Sequence, residues 1–280
     1  MRLAIITDEL GQDPETVFPA VRQLGFDGVE IRSLDDTPPH QLTDVQLTKV
    51  RGLAARYGLS VAGLCPPVFK CPVPVSDADL RAARTVLEDS LRTAAALGAP
   101  HMRIFTFYRD GAPAPRAAAP RVAELLSGID TAGVDLLVET GTRTNTPTID
   151  HTLQFLETLG DPRVGILWDP GNSVFSGWAK APYPAEYAAG RPFIRHIHVK
   201  DPRGQQEYVR LGDGDVPWPD ILGQLRADGY RGWVSLETHW RIGRVLSPEQ
   251  RDVPWGRDFS ADGFEASVEC MRRLSEMVSS

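Results

Sequence analysis

The chain has 280 residues, of which 42% are hydrophobic and 24% charged, which is typical of a globular protein whose core forms without disulfides or structural metals. Its formal net charge of −7 argues against a nucleic-acid binder, whose binding surface would be basic. The three cysteines, Cys65, Cys71 and Cys270, form no CxxC pair, and Met1 leads into a strand-like run that is too quickly charged for a secretory signal. No apolar stretch approaches the length of a membrane helix. We therefore expect a cytoplasmic protein that binds neither nucleic acid nor a membrane.

Strand-like runs alternate with helical patterns along the whole chain. Short β-branched or apolar runs are separated by stretches with helical periodicity, which is the pattern of βαβ units around a parallel sheet. Eight strands are predicted, at residues 3–8, 28–33, 60–65, 101–107, 135–140, 164–169, 194–201 and 233–238. Eight such units predict an α/β fold of the (β/α)8 TIM-barrel type, formed as a single domain over residues 1–280.

Capping signals mark where several helices begin. Thr43 with Gln46, and Ser76 with Asp79, have the spacing of capping boxes, in which each side chain bonds the backbone N–H of the other residue. Pro147 is expected in the first turn of another helix, where its missing N–H needs no partner. These starts fit helices that follow the second, third and fifth strands.

The alternative fold is a doubly wound open sheet. Such a sheet normally has a Gly-rich phosphate loop after an early strand, and the segment TDELGQD at residues 7–13 is not one. No linker or low-complexity tract divides the chain, and the Ala/Pro-rich residues 111–120 are interpreted as a loop after the fourth strand. The barrel therefore remains the preferred fold.

Four consecutive strands end in side chains that could share one site, because active sites of such barrels form at the carboxyl ends of the strands. These side chains are Glu139, Asp169, His198 and Glu237. Two carboxylates 4 Å apart repel by about 4 kcal/mol at an effective dielectric of about 20, so protonation or a bound cation must offset their charge. Three carboxylates and an imidazole suit one divalent ion, Mn²⁺, Mg²⁺ or Co²⁺, better than a structural zinc.

Each of the four residues also has a purely structural interpretation. Asp169 in DPGN could cap a helix or form a turn, and Glu139 could cap a helix. His198 could be a hydrogen-bonded core histidine, and Glu237 could pair with an arginine. A shared metal site explains the four together with one cause.

The strand-end motifs LLVET, ILWDPGN, HIHVKD, RLGDGDVPW and GWVSLETHW resemble those of the xylose isomerase-like barrel proteins. That group includes sugar-phosphate isomerases and epimerases, ketose 3-epimerases, inosose dehydratases and hydroxypyruvate isomerases. The resemblance covers nearly the whole chain, and its motifs are specific for the superfamily but weak for the substrate.

The resemblance implies roles for particular residues. It makes Glu139, Asp169, His198 and Glu237 the metal ligands, and Glu139 and Glu237 the groups that exchange protons with the substrate. The positions that resemble substrate-binding ones are Glu30, Asn172, Lys200 and Asp201, and Arg210 could also reach the substrate. Asn172 stands where many relatives have a histidine, which weakens an assignment to the nuclease branch.

The chemistry implied is removal of a proton next to a carbonyl, with a metal-stabilised enediolate, in a sugar isomerase or epimerase. The alternatives are a lyase or dehydratase at the same site, a non-catalytic carbohydrate-binding barrel, and an apurinic-site nuclease. The expected partner is a small carbohydrate substrate, and the sequence is compatible with either a monomer or a homo-oligomer. No basic phosphate cradle is evident in the sequence, so a free sugar, inositol derivative or keto-sugar is favoured over a sugar phosphate.

Overall fold

The computed structural model describes residues 1–279, and its centre is a closed barrel of eight parallel strands. The strands are β1 (Arg2–Ile6), β2 (Gly28–Ile31), β3 (Ser60–Leu64), β4 (His101–Ile104), β5 (Asp135–Glu139), β6 (Val164–Trp168), β7 (Ile194–Val199) and β10 (Trp233–Leu236). Their order around the barrel is β1-β10-β7-β6-β5-β4-β3-β2. Ile5 pairs with Leu236 of β10 on one side and Val29 of β2 on the other, which closes the sheet. The predicted single-domain (β/α)8 barrel is confirmed.

The helices surround the barrel and cover the outer, apolar face of its strands. They are α1 (Thr7–Leu10), α2 (Pro14–Gln23), α3 (Asp44–Tyr57), α4 (Asp77–Leu97), α5 (Pro115–Leu126), α6 (Ile149–Leu159), α7 (Pro170–Phe175), α8 (Ala185–Gly190), α9 (Trp218–Ala227), α10 (Pro248–Asp252), α11 (Arg257–Ser260) and α12 (Phe264–Ser279). A 3-10 turn, Pro39–Gln41, precedes α3. In residues 1–279, none of these helices combines the length and the apolar character needed to cross a bilayer.

Local sequence signals explain two helix starts and misplace two others. Both capping boxes form at α3 and α4, as predicted. Pro147 lies outside α6, because Thr148 occupies the N-cap position. Residues 111–120 are not all loop, since Pro115 occupies the first turn of α5, where proline is well tolerated, and alanines favour the helix that follows.

Each barrel strand ends one to three residues earlier than predicted. The predicted fourth strand runs to residue 107, whereas β4 ends at Ile104. The chain leaves the sheet at this rim to enter the loops over the barrel mouth. A separate antiparallel hairpin, β8 (Asp201–Arg203) with β9 (Glu207–Val209), follows β7 and forms its own two-stranded sheet.

The interior of the barrel contains polar groups below the rim. The imidazoles of His101 and His196 lie 4.4 Å apart between ring centroids. Gly63 of β3 makes room for them, since a Cβ there would lie 2.5 Å from His101 Nε2. His196 in turn contacts Glu30, with 2.8 Å between His196 Nε2 and Glu30 Oε2. This layer supports the residues at the rim above it.

Candidate active site

Four side chains meet at the carboxyl end of the barrel. Glu139 ends β5, Asp169 and Glu237 directly follow β6 and β10, and His198 lies in β7. One potential ligand atom from each lies within 4.8 Å of those of the other three, and all four residues are buried. The structure thus brings together the residues that were expected to hold a metal.

The two carboxylate oxygens of Asp169 make different contacts. Oδ1 accepts a hydrogen bond from the N–H of Asn172 at 2.9 Å, so Asp169 is the N-cap of α7. Oδ2 lies 2.7 Å from Nζ of Lys200. Thr140 fixes the backbone of Asp169, accepting from its N–H at 2.8 Å and donating to its carbonyl at 3.0 Å. The helix cap therefore orients the oxygen that points toward the cluster.

His198 is oriented by contacts on both ring nitrogens. Nδ1 lies 3.2 Å from Oε1 of Glu139 and 3.5 Å from Oε2 of Glu237. Nε2 lies 3.2 Å from Oε2 of Glu30, whose other oxygen, Oε1, accepts from the Cys65 thiol at 3.0 Å. Burial lowers the pKa of His198, but Glu30 and Cys65 outweigh it and hold that pKa well above its usual value. A carboxylate behind the ring is the arrangement that directs the opposite nitrogen of a histidine toward a metal.

Three cations balance the carboxylates of the cluster. Lys200 hydrogen-bonds Glu237 as well as contacting Asp169. Arg103 from β4 lies 3.1 Å from Oε2 of Glu139, and Arg32 lies 2.5 Å from Oε1 of Glu237. All three cations are almost fully buried. Because a buried charge is stable only when it is paired, these contacts hold the carboxylates in place.

The three carboxyl groups of the cluster differ in pKa, because neighbouring cations lower it at the two glutamates and burial raises it at Asp169. Burial raises the pKa of Glu139, but Arg103 and His198 outweigh it and bring the pKa to about 2. Burial likewise raises the pKa of Glu237, but Lys200, His239 and Arg32 hold it well below its usual value. Burial raises the pKa of Asp169 to about 7, although Lys200 opposes this shift. Both glutamates are therefore ionised at neutral pH.

A cavity of about 270 Å³ opens above the cluster, and only some of the expected substrate residues line it. Asn172 and Lys200 do, and the amide of Asn172 donates to Oε1 of Glu139 at 3.2 Å. Glu30, Asp201 and Arg210 do not. Glu30 lies beneath His198 with no exposed surface, so its expected substrate contact is corrected to a contact with histidines.

Asp201 and Arg210 also have structural partners instead of cavity contacts. Asp201 accepts the backbone N–H groups of Gly212, Gly214 and Val216 at 2.8, 3.1 and 3.2 Å, which holds the loop before α9. Arg210 pairs on the outside with Asp213 and Glu269, at 2.8 and 2.7 Å. The sequence placed both near the strand-seven rim, but neither side chain reaches the cavity.

Several residues of the site were not identified from the sequence. Arg32 contacts Asp8 and Glu9 at 2.9 and 2.8 Å in addition to Glu237. Arg103 was detectable, because a cation inside an apolar strand is unusual and calls for a partner. Further cavity residues lie in loops, in the short helices α7 and α10 and in the β8–β9 hairpin, and they carry no motif. Among them are Lys70, Arg109, Arg143, Phe175, Gln205, Tyr208 and Arg251.

Residues 18–274 match the model of the xylose isomerase-like TIM barrel family. The rhizopine catabolism protein MocC of Rhizobium meliloti is 32% identical over 106 residues, a match that covers 31% of this chain and 32% of MocC. The chain is thus matched to about a third of the length of that curated relative.

Two solved structures share the fold over nearly their whole length. They are the 3-keto-D-glucoside 4-epimerase YcjR of E. coli, with a TM-score of 0.73, 16% identity and 99% of each chain covered, and the probable 3-DHS dehydratase AsbF of Bacillus anthracis, with a TM-score of 0.72, 16% identity and 100% and 99% covered. At such identities the likeness is one of fold.

Proposed function

The chain belongs to the xylose isomerase-like TIM barrel family, and from this we propose that it is a divalent-metal-dependent isomerase or epimerase of a sugar or keto-sugar. The observation that carries the proposal is the buried convergence of three carboxylates and one imidazole below a cavity at the barrel mouth. The fold shared with YcjR, which is named as an epimerase of a 3-keto-D-glucoside, favours a substrate of carbohydrate type.

The chemistry of the donor set fits a divalent cation. Glu139, Asp169, His198 and Glu237 would hold it through one atom each, and His198 would use Nδ1, the nitrogen opposite the Glu30 contact. When bound, the cation supplies Lewis-acid polarisation of the substrate carbonyl, which acidifies the neighbouring C–H. Oxygen and nitrogen donors of this kind suit Mn²⁺, Mg²⁺ or Co²⁺.

Glu139 and Glu237 are the proposed proton-transfer groups. They come from β5 and β10, which are separated in the barrel by β6 and β7, so they approach the cavity from different sides. One carboxylate removes the proton and the other returns it, to the opposite face in an epimerase or to the neighbouring carbon in an isomerase. Their lowered pKa values keep both carboxylates ionised at neutral pH, which is the form a proton-accepting group requires, but make each a weaker base. The Lys200 ammonium beside Glu237 would stabilise the developing oxyanion.

An aromatic wall suits the apolar face of a sugar. Tyr208 stacks on Phe175, with ring centroids 4.7 Å apart and planes 12° apart, and its hydroxyl contacts Asn172 at 3.5 Å. Tyr208 and Phe175 both line the cavity. Aromatic faces with polar tips bind carbohydrates because they contact C–H groups and hydroxyls together.

A dehydratase is the second candidate, favoured by the fold shared with AsbF. The first step would be the same proton removal by Glu139 or Glu237, followed by loss of a β-hydroxyl as water. The two reactions differ in their products, because a dehydratase forms an unsaturated or deoxy carbonyl compound.

Deuterium wash-in from D₂O tests the proposal. Purified protein with Mn²⁺, Mg²⁺ or Co²⁺ is incubated with ketoses and inososes, and NMR follows exchange at the carbon next to the carbonyl and identifies the product. We expect exchange that a chelator abolishes and that Glu237→Gln reduces at least about 10²-fold. Glu157→Gln, a change at an exposed glutamate far from the cavity, is the control. Full exchange in Glu237→Gln would show that Glu237 does not transfer the proton. If the wild-type protein exchanges deuterium into none of the substrates, the proposal is refuted.

A further inference from the structure

The cavity wall is strongly cationic although the whole chain is acidic. Six lysine or arginine side chains line the cavity, against three carboxylates, in a protein of net charge −7. A bound divalent cation would add to this excess. A cavity of one sign of charge attracts ligands of the opposite sign.

Half of these cations have carboxylate partners and half do not. Arg103 pairs with Glu139, Lys200 with Glu237, and Arg143 with Asp252. Lys70, Arg109 and Arg251 remain, and within residues 1–279 no carboxylate oxygen lies within 4.0 Å of their charged groups. We call these three residues the cationic wall.

Lys70 is the most informative member of the cationic wall. It lies in the loop after β3, with Nζ 5.4 Å from the centre of the Phe105 ring, and the Arg103 guanidinium is 4.7 Å from the same ring. Burial, with Arg103 adding to it, lowers the pKa of Lys70 to about 7. Lys70 is half-buried and its amine lies near another cation, so a bound anion would supply the counter-charge that favours its protonated form.

Arg109 and Arg251 are held in place by main-chain carbonyls, which leaves most of their N–H groups for a ligand. Arg109 donates to the carbonyl of Thr142. Arg251 donates to the carbonyl of Gln206 at 3.2 Å, and its guanidinium lies 5.1 Å from the centre of the Phe175 ring. A guanidinium has five donors in a planar fork that matches the oxygens of a carboxylate or a phosphate.

We propose that the cationic wall binds an anionic group of the substrate, a carboxylate or a phosphate carried by the sugar. The inference rests on the proposed function, because it names the class of substrate that the same site would take. It reverses the sequence-based preference for an uncharged sugar. That preference arose because the three cations belong to separate segments, two loops at residues 70 and 109 and helix α10 at residue 251, and form no motif.

The turnover test compares one ketose in three forms: D-fructose, D-fructose 6-phosphate and D-fructuronate. Deuterium wash-in gives kcat/KM for each. We expect the phosphate or the uronate to exceed fructose at least about 30-fold, and the better of the two identifies the anionic group. Lys70→Met should raise KM for the anionic form at least about tenfold, more than it raises KM for fructose, and should be rescued in part by Lys70→Arg. Lys180→Met, at an exposed lysine outside the cavity lining, should leave all three kcat/KM values unchanged. Equal or better exchange into fructose would overturn the inference and leave the proposed function standing.

A binding test works without turnover. Titration calorimetry on chelator-treated protein measures the affinity for inorganic phosphate and for acetate. Lys70→Met should weaken the tighter of the two at least about tenfold without lowering the melting temperature, whereas Lys180→Met, at an exposed lysine, should change neither. Affinities that do not depend on Lys70 would overturn the inference. Lys70-dependent binding in a protein that exchanges no ketose would instead support the cationic wall and refute the proposed function.

Discussion

Replacing Lys200 by methionine tests whether its ammonium takes the place of a metal ion. The side chain is 3% exposed and contacts Asp169 at 2.7 Å together with Glu237. Methionine keeps an apolar stem of similar length and removes only the charge. Two buried carboxylates then lose a shared counter-ion, and breaking a buried ion pair from one side costs about 3–5 kcal/mol.

Bound Mn²⁺ should recover part of this loss. In the wild type the ammonium competes with the metal for oxygens of Asp169 and Glu237, so Lys200→Met should bind Mn²⁺ at least about tenfold more tightly. Binding stabilises the native state by about 2.7 kcal/mol at a metal concentration 100 times Kd, and a tenfold gain in affinity adds about 1.4 kcal/mol at the same concentration. The variant should thus be less stable than wild type without metal and closer to it with metal.

Urea denaturation at pH 8, with and without Mn²⁺, measures both effects. This pH is above the raised pKa of Asp169 in the wild type, about 7, so the carboxylate that Lys200 contacts is ionised there. Lys180→Met controls for loss of a lysine at the surface. Unchanged stability of metal-free Lys200→Met would refute the pairing argument, and weaker Mn²⁺ binding would show that Lys200 positions the ligands instead of competing with the metal.

Two further predictions concern stability outside the metal cluster. Burial raises the pKa of Glu186 to about 7, above its unfolded value of 4.5. The stability that the protonated carboxyl group contributes is therefore complete below pH 4.5 and is lost as the pH rises to about 7. The free energy of unfolding falls by at most roughly 3 kcal/mol over this range. Glu186→Gln, which keeps an acceptor for Trp168, should raise the urea midpoint at pH 8 more than at pH 5, and an equal effect at both would contradict this. Gly214→Ala places a methyl group against the Asp201 carboxylate, so it should destabilise by about 1–3 kcal/mol in thermal unfolding. Gly223→Ala, where a Cβ meets no atom within 4 Å, is the control, and similar melting temperatures would refute the role of the Asp201 loop.

The fold and the centre of the site follow from local patterns. Parallel strands covered on their outer face read as apolar runs, so all eight barrel strands are visible, and the family resemblance of their ends is confirmed by the match over residues 18–274. Glu139, Asp169 and Glu237 could be identified because a carboxylate at a strand end is conspicuous. Asp169 confirms its structural interpretation and also lies in the cluster, since one carboxylate oxygen caps α7 and the other contacts Lys200.

The other site residues depend on closure of the barrel. Glu30 points inward from β2, but its height relative to His198 depends on the stagger between strands far apart in sequence. Arg32 meets Glu237 only because β10 closes the barrel beside β1, next to β2. Lys70 lies in an irregular loop, where neither period-two nor helical patterning indicates a direction for its side chain.

The hairpin β8–β9 contributes to the cavity wall without belonging to the barrel sheet. It supplies Tyr208 to the cavity wall and, at its turn, Gln205 to the cavity mouth, yet it is not hydrogen-bonded into the barrel sheet. Insertions or exchanges at residues 204–206 can therefore accumulate in a lineage without disturbing strand closure, since surface turns tolerate such changes. In a family whose members share a barrel and differ in substrate, an appendage of this kind gives new specificities a place to arise.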